Sequence, residues 1–88
     1  MAEADTLLEF PCDFPLKVIG ATRDGLAQAV VEVVRKHAPD FDAAKIGMRP
    51  SKAGNYLSLT CIVRAASQAQ LDALYRELTA HPWVKIVL

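Results

Sequence analysis

The sequence predicts an α+β sandwich with elements in the order β-α-β-β-α-β: a four-stranded antiparallel sheet with two helices on one face. Three observations predict it. Residues 55–65 alternate apolar and polar side chains over most of their length, with Leu57, Leu59, Cys61 and Val63 on one side of the period. Two other stretches, following Thr22 and Ser67, repeat apolar residues every three or four positions. Prolines and glycines fall between these periodic segments, where a chain turns or a helix stops.

Taken in order, residues 1–5 are acidic and read as a frayed tail, with residues 1–6 the expected flexible part. Leu7, Leu8 and Phe10 are enough to dock a short segment. Pro11 and Pro15 push their preceding residues towards extended geometry and predict a bend. The first strand then covers residues 14–21, with Phe14, Leu16 and Val18 inward and Lys17 and Ile19 outward. Thr22 is the expected cap of the first helix, with Asp24 in the first turn at the positive end of its dipole. Leu26, Ala29, Val30, Val33 and His37 form the buried stripe, Val31 and Val34 widen it, and Pro39 ends it.

A polar connection over residues 40–44 leads to a second strand at 45–49, with Ile46 and Met48 inward. Pro50 has no N–H, so this strand must lie at an edge or end there. Residues 51–55 form the hairpin loop, with Gly54 able to take positive φ. After the 55–65 strand, Ser67 and Gln70 have the spacing of a capping box, and Leu71, Leu74, Tyr75 and Leu78 make the stripe of the second helix. His81-Pro82 stops it. Residues 83–88 form the last strand, with Val84, Ile86 and Leu88 on one face and Trp83, Lys85 and Val87 on the other. Right-handed crossovers then put both helices on one face, with the first and third strands central: the ferredoxin-like arrangement.

At 88 residues the chain is expected to form a single domain. Its net charge is zero, which argues against a general affinity for nucleic acid or an anionic membrane but allows a local patch. The acidic start lacks the basic and apolar regions of a signal peptide, and no stretch approaches a bilayer span. Cys12 and Cys61 form no CxxC pair and read as reduced thiols, so a cytoplasmic location is expected.

Several stretches carry a family resemblance: Leu8-Glu-Phe-Pro11, Lys17-Val-Ile-Gly20, Val30-Val-Glu-Val-Val34, Lys36-His-Ala-Pro39, Arg49-Pro-Ser51, Gly54-Asn-Tyr56 and Val87-Leu88. Together they make the chain resemble, over nearly its whole length, the YbeD-like family of small bacterial proteins of unknown function. The loop departs from the family pattern by one added residue, reading Ser-Lys-Ala-Gly-Asn-Tyr. The resemblance implies a ferredoxin-like fold similar to the ACT-type regulatory domains of amino-acid enzymes. It brings no established activity with it.

Two candidate sites emerge. The uncovered face of the sheet is expected to show Lys17 and Ile19 from the first strand, Lys45 and Arg49 from the second, and Tyr56, Ser58, Thr60, Ile62 and Arg64 from the third. Trp83, Lys85 and Val87 are expected to complete it from the fourth. Five cations and no carboxylate stand at those positions. Such a face suits a protein partner, self-association or an acidic metabolite, although Lys and Arg stems also cover exposed sheets with no partner at all. Single-stranded RNA is disfavoured, because an RRM stacks bases on aromatics of its first and third strands, and here only Tyr56 is offered.

The second candidate is the loop with Ser51, Lys52, Gly54 and Asn55, which has a cation, close backbone access and hydrogen-bonding groups for an anion. A plain hairpin turn accounts for Gly-Asn equally well and is preferred. His37 and His81 sit at expected helix ends, where the dipole favours a cation. No ligand spacing joins them to the cysteines as a metal site, and nothing orients a base beside a nucleophile. The sequence therefore predicts a non-enzymatic regulatory or interaction domain with no catalytic residue, metal or cofactor. The alternative is an ACT-like sensor of a small acidic metabolite.

Overall fold

A computed structural model describes residues 9–88. The expected tail and the docking residues Leu7 and Leu8 lie outside them. The elements are β1 (Cys12–Ala21), α1 (Leu26–His37), a 3-10 turn (Ala43–Lys45), β2 (Gly47–Pro50), β3 (Tyr56–Ala65), α2 (Gln68–Ala80) and β4 (Val84–Val87). The sheet is antiparallel in the order β2-β3-β1-β4. The predicted element order, central strands and α+β sandwich are borne out.

β1 and β3 pair along ten positions, from Cys12 opposite Ala65 to Ala21 opposite Tyr56. Directly opposed residues share a face. Leu16, Val18, Leu59, Cys61 and Val63 therefore line one side, and all five are completely buried. Leu26, Val30, Val33 and Val34 of α1 and Leu74 and Leu78 of α2 pack on that same side as one cluster. Phe14 meets Tyr75 edge-on, with ring centres 6.5 Å apart. Both helices thus cover one face and leave the other open.

Four local expectations need correction. The first strand starts at Cys12, two residues before the expected start, so most of the expected 11–15 bend is strand, with Pro15 opposite Ile62. This is tolerated because β4 gives out early: Lys17 and Leu88 exchange the last backbone hydrogen bonds on that flank, at 3.1 and 2.8 Å. The missing N–H of Pro15 therefore has no strand to answer to. The first helix starts at Leu26, not beside Thr22. Its cap is Gly25, in the left-handed region at φ 84°, and no side chain caps the helix.

β2 is a short edge strand ending at Pro50, and it begins at Gly47. Met48 is opposite Leu59 and so on the helix side, yet it remains 58% exposed because the helices do not extend over this edge. In β4, a register shift beside Ile19 and Gly20 leaves Val84 inward and Lys85 outward as expected but exchanges the expected faces of Ile86 and Val87. Val84 opposes Gly20 and Val87 opposes buried Val18, and both pack against the core. Ile86 opposes Ile19 and is 50% exposed. One extra residue in a bulge shifts every later side chain to the other face.

α2 follows the expectation closely. The Ser67 hydroxyl accepts the Gln70 N–H at 3.1 Å. The Gln70 side chain reaches back to the N–H of Ala66, at 2.6 Å, one residue before the cap. Its amide also donates to the His37 carbonyl at 2.7 Å, which ties the start of α2 to the end of α1.

Candidate functional site

The open face is built from the outward half of each strand's alternation. From β3 come Tyr56, Ser58, Thr60, Ile62 and Arg64; opposite them on β1 stand Ala21, Ile19, Lys17, Pro15 and Asp13. Arg49 lies opposite Ser58, and Ile86 lies opposite Ile19. At one level the sheet therefore carries a row of Arg49, Ser58, Ile19 and Ile86, one from each strand. Lys85, the neighbour of Ile86 in the bulge, joins Ile19, Tyr56 and Ile86 around an open groove of about 480 Å³. A smaller groove of about 180 Å³ on the other side of Tyr56 is lined by Ile19, Arg49, Pro50, Ser51 and Ser58. Tyr56 and Ile19 thus form an apolar ridge between two grooves, with a cation in each.

Of the predicted face residues, Lys17, Ile19, Arg49, Tyr56, Ser58, Thr60, Ile62, Arg64 and Lys85 occupy the open side. Trp83 does not. It precedes β4 and packs against the core from the rim, with the Arg23 guanidinium 3.9 Å from its ring centre and the His81 ring edge-on at 5.4 Å. Val87 is exchanged for Ile86 by the bulge. Lys45 lies in the 3-10 turn, where it borders a depression with Asp13, Asp40, Asp42 and Arg64.

The face also has a carboxylate that the sequence reading missed, because the strand was expected to start two residues later. Asp13 accepts from Arg64 at 3.2 Å, with both side chains well exposed. The charge is therefore divided along the strands: acids balance bases at the Asp13 end, while no described carboxylate pairs with Lys17, Arg49 or Lys85 at the other. The signal that could have found Asp13 is its own place two residues before Pro15 in the same alternation.

The 51–55 loop is held by its own groups. The Ser51 N–H donates to the Tyr56 carbonyl at 2.8 Å, and the Tyr56 N–H donates to the Ser51 hydroxyl at 3.1 Å. The Gly54 N–H donates to the Ser51 carbonyl at 2.9 Å. Gly54 takes φ 79°, as expected. The Asn55 carbonyl accepts from the Thr22 N–H at 2.9 Å, and Lys52 is exposed at the tip.

The remaining chemistry-bearing residues have structural partners. His37 Nε2 is 2.8 Å from one Glu77 oxygen, and Lys36 donates to the other at 2.9 Å. These two contacts hold the Glu77 carboxyl below its ordinary pKa, Lys36 contributing most. His81 Nδ1 accepts the Trp83 N–H at 3.1 Å, so that nitrogen carries no proton in this arrangement. Burial pushes the Cys61 thiol up to about 11 and makes it a poor nucleophile. Among the described residues no group of three His, Cys, Asp or Glu side chains is placed to hold a metal, and no helix is long and apolar enough to cross a membrane.

Residues 5–88 match the family model described as a protein of unknown function, DUF493. The chain belongs to the DUF493 family. A UPF0250 protein of Ralstonia nicotianae is 55% identical to it over 84 residues, which are 96% of this chain and 87% of the relative. A UPF0250 protein of Nitrosomonas europaea is 46% identical over 96% of this chain and 97% of its own length. The YbeD-like resemblance is thereby borne out. Two solved structures share the DUF493 chain's fold at 17% identity. The solution structure of protein HP0495 from H. pylori matches with a TM-score of 0.75 over 92% of this chain and 85% of that one. The ACT domain of a GTP pyrophosphokinase from Chlorobium tepidum matches with a TM-score of 0.64 over 86% and 84%. At that identity the likeness is one of fold.

Proposed function

We propose that this DUF493 chain is a non-enzymatic interaction domain that engages a protein partner through the open face of its sheet. The observation that carries the proposal is the row Arg49, Ser58, Ile19 and Ile86 beneath Tyr56. It is an apolar strip flanked by cations on the side of the sheet the helices leave bare, with Tyr56 and Ile86 about half exposed. Apolar side chains gathered on a rigid sheet beside charged groups are what a recognition surface requires. The ACT domain among the fold neighbours supports a regulatory role by analogy.

The test is affinity capture from the native cell combined with mass measurement in solution, comparing wild type with Ile86→Asp. The wild type is expected to recover a defined protein that the variant loses. A wild type that recovers nothing and runs as a bare monomer refutes the proposal.

A second reading, a sensor of a small acidic metabolite, draws on the 180 Å³ groove beside Arg49 and Ser51. It is the weaker one, because Arg49 is the one charged residue lining that groove, whose other walls include Ile19, Pro50 and Tyr56. Thermal shift with millimolar metabolites separates the two, since a ligand that saturates a native-state site must raise stability.

A further inference from the structure

We infer that the occupant of the open face is an acidic amphipathic α-helix belonging to a different protein. The inference rests on the open-face reading and names its partner. Arg49 and Ile86 stand on the two edge strands, at opposite ends of one cross-strand row, with Ser58 and Ile19 between them and Lys85 beside Ile86 in the bulge. Three inter-strand spacings put those ends about 14 Å apart. A helix advances 1.5 Å per residue, so about ten residues span the row. On one helical face that spacing gives carboxylates at i and i+10 or i+11, with apolar side chains at i+4 and i+7 between them. Those apolar groups would lie over Ser58 and Ile19, beside the ring of Tyr56, with Ile86 next to the second carboxylate. Lys17, two residues before Ile19 on the same face of β1, offers the helix a third positive contact.

Backbone chemistry selects a helix. A sheet face presents side chains, so an extended segment laid on it would find few partners for its N–H and C=O groups. A helix satisfies its own. The charge pattern also sets the helix's position along the strands. At the other end of the face Asp13 already pairs with Arg64, and Asp40 and Asp42 lie close by, so an acidic helix is repelled there and drawn to the Tyr56 end.

The same charges oppose a second copy stacked with matching ends together, which would bring Lys17, Arg49 and Lys85 near their own equivalents. A copy stacked with ends reversed would set those cations against Asp13 and is one of the outcomes the crosslinks read. The chain's helices are poor substitutes, because the outward residues of α1 include Arg35 and Lys36 beside Glu32, and those of α2 include Arg76 beside Asp72. Helix-on-sheet contact between copies would also be head-to-tail.

The test is photocrosslinking of the full-length chain in its native cell. Benzoylphenylalanine replaces Tyr56 in one strain and Ile62, near the Asp13 end of the same face, in another. The crosslinked peptides are sequenced by mass spectrometry. The expected product at position 56 is a segment of another protein with carboxylates about ten residues apart and apolar residues between them at helical spacing. Its yield should fall at least about fivefold with Arg49→Glu plus Lys85→Glu, two exposed positions whose exchange is expected to leave the circular dichroism unchanged, and it should be much weaker from position 62. Crosslinks to a second copy, to residues 1–8 of the same chain, to RNA, or to a neutral or basic protein segment overturn the inference. No adduct from either position removes the open-face reading itself.

Discussion

Gly20→Ala is expected to be the most informative single methyl in this chain. A Cβ at Gly20 would collide with the Trp83 carbonyl oxygen and lie 3.2 and 3.4 Å from the two terminal methyls of Leu26. The leucine can turn aside, but the carbonyl belongs to the backbone that leads into β4 and cannot. Ordinary overpacking costs about 1–3 kcal/mol. Replacing glycine by alanine within a strand otherwise returns roughly 0.5–1 kcal/mol. The net expectation is a loss of about 1–2 kcal/mol, a fall in Tm of roughly 5–15 °C for a domain this small.

Gly47→Ala is the matched control. A Cβ there meets the Thr60 Cβ at 3.7 Å and the Thr60 carbonyl oxygen at 4.0 Å, which is ordinary contact, so stability should hold or rise by up to about 1 kcal/mol. Urea denaturation of both variants, followed by tryptophan fluorescence, gives the comparison. The Trp83 ring also reports directly on the displaced region. Gly20→Ala with stability equal to or above that of Gly47→Ala would refute the close approach of β4 and the bulge built on it.

Three further outcomes follow from two side chains with more than one partner and from the burial of the two thiols. Gln70→Glu should lower stability by about 1–2 kcal/mol in chemical denaturation although glutamate satisfies the capping-box pattern, because a carboxylate cannot donate to the His37 carbonyl. Glu77 is held by Lys36 and His37 with its pKa lowered, so its contribution is complete above its ordinary value and is lost as pH falls through the lowered one. Glu77→Gln should therefore be less stable than wild type near neutrality, with the difference closing as pH drops from about 5 towards 2 in a pH series of urea melts. In the native protein at pH 8, a thiol reagent should modify half-buried Cys12 and leave Cys61 intact until the chain unfolds, because Cys61 is wholly inaccessible and its thiol pKa is near 11.

The residues that misled the sequence reading did so for physical reasons. Pro11 and Pro15 looked like a bend because each pushes the residue before it towards extended geometry; that geometry instead continues the strand, and no described strand pairs with Pro15 on the β4 side. Thr22 looked like a helix cap, but its backbone N–H is used by Asn55, and the chain turns through Gly25 instead. Trp83 was assigned to the open face by counting alternate residues outward from Lys85. It was placed at the rim by Arg23, His81 and the core. The nine face residues that kept their expected side lie on the long pair of central strands, on β2 beside it, or in the bulge, where Lys85 remains outward.

The sequence by itself determined the element order, the two helix stripes, and the inward and outward sides of β1 and β3. In those two strands every polar residue but the cysteines falls on one side of the alternation, Ile19 and Ile62 being the large aliphatic exceptions there, and one periodicity permits one burial. It did not determine the faces of β4. There Val84, Ile86, Val87 and Leu88 give an apolar residue to either side, so the pattern fits two registers about equally well. Only the tertiary structure decided between them. The approach of the Trp83 backbone to Gly20 and the bulge beside Ile19 move Ile86 out and Val87 in, and it is Ile86, with Lys85 next to it, that completes the uncovered strip.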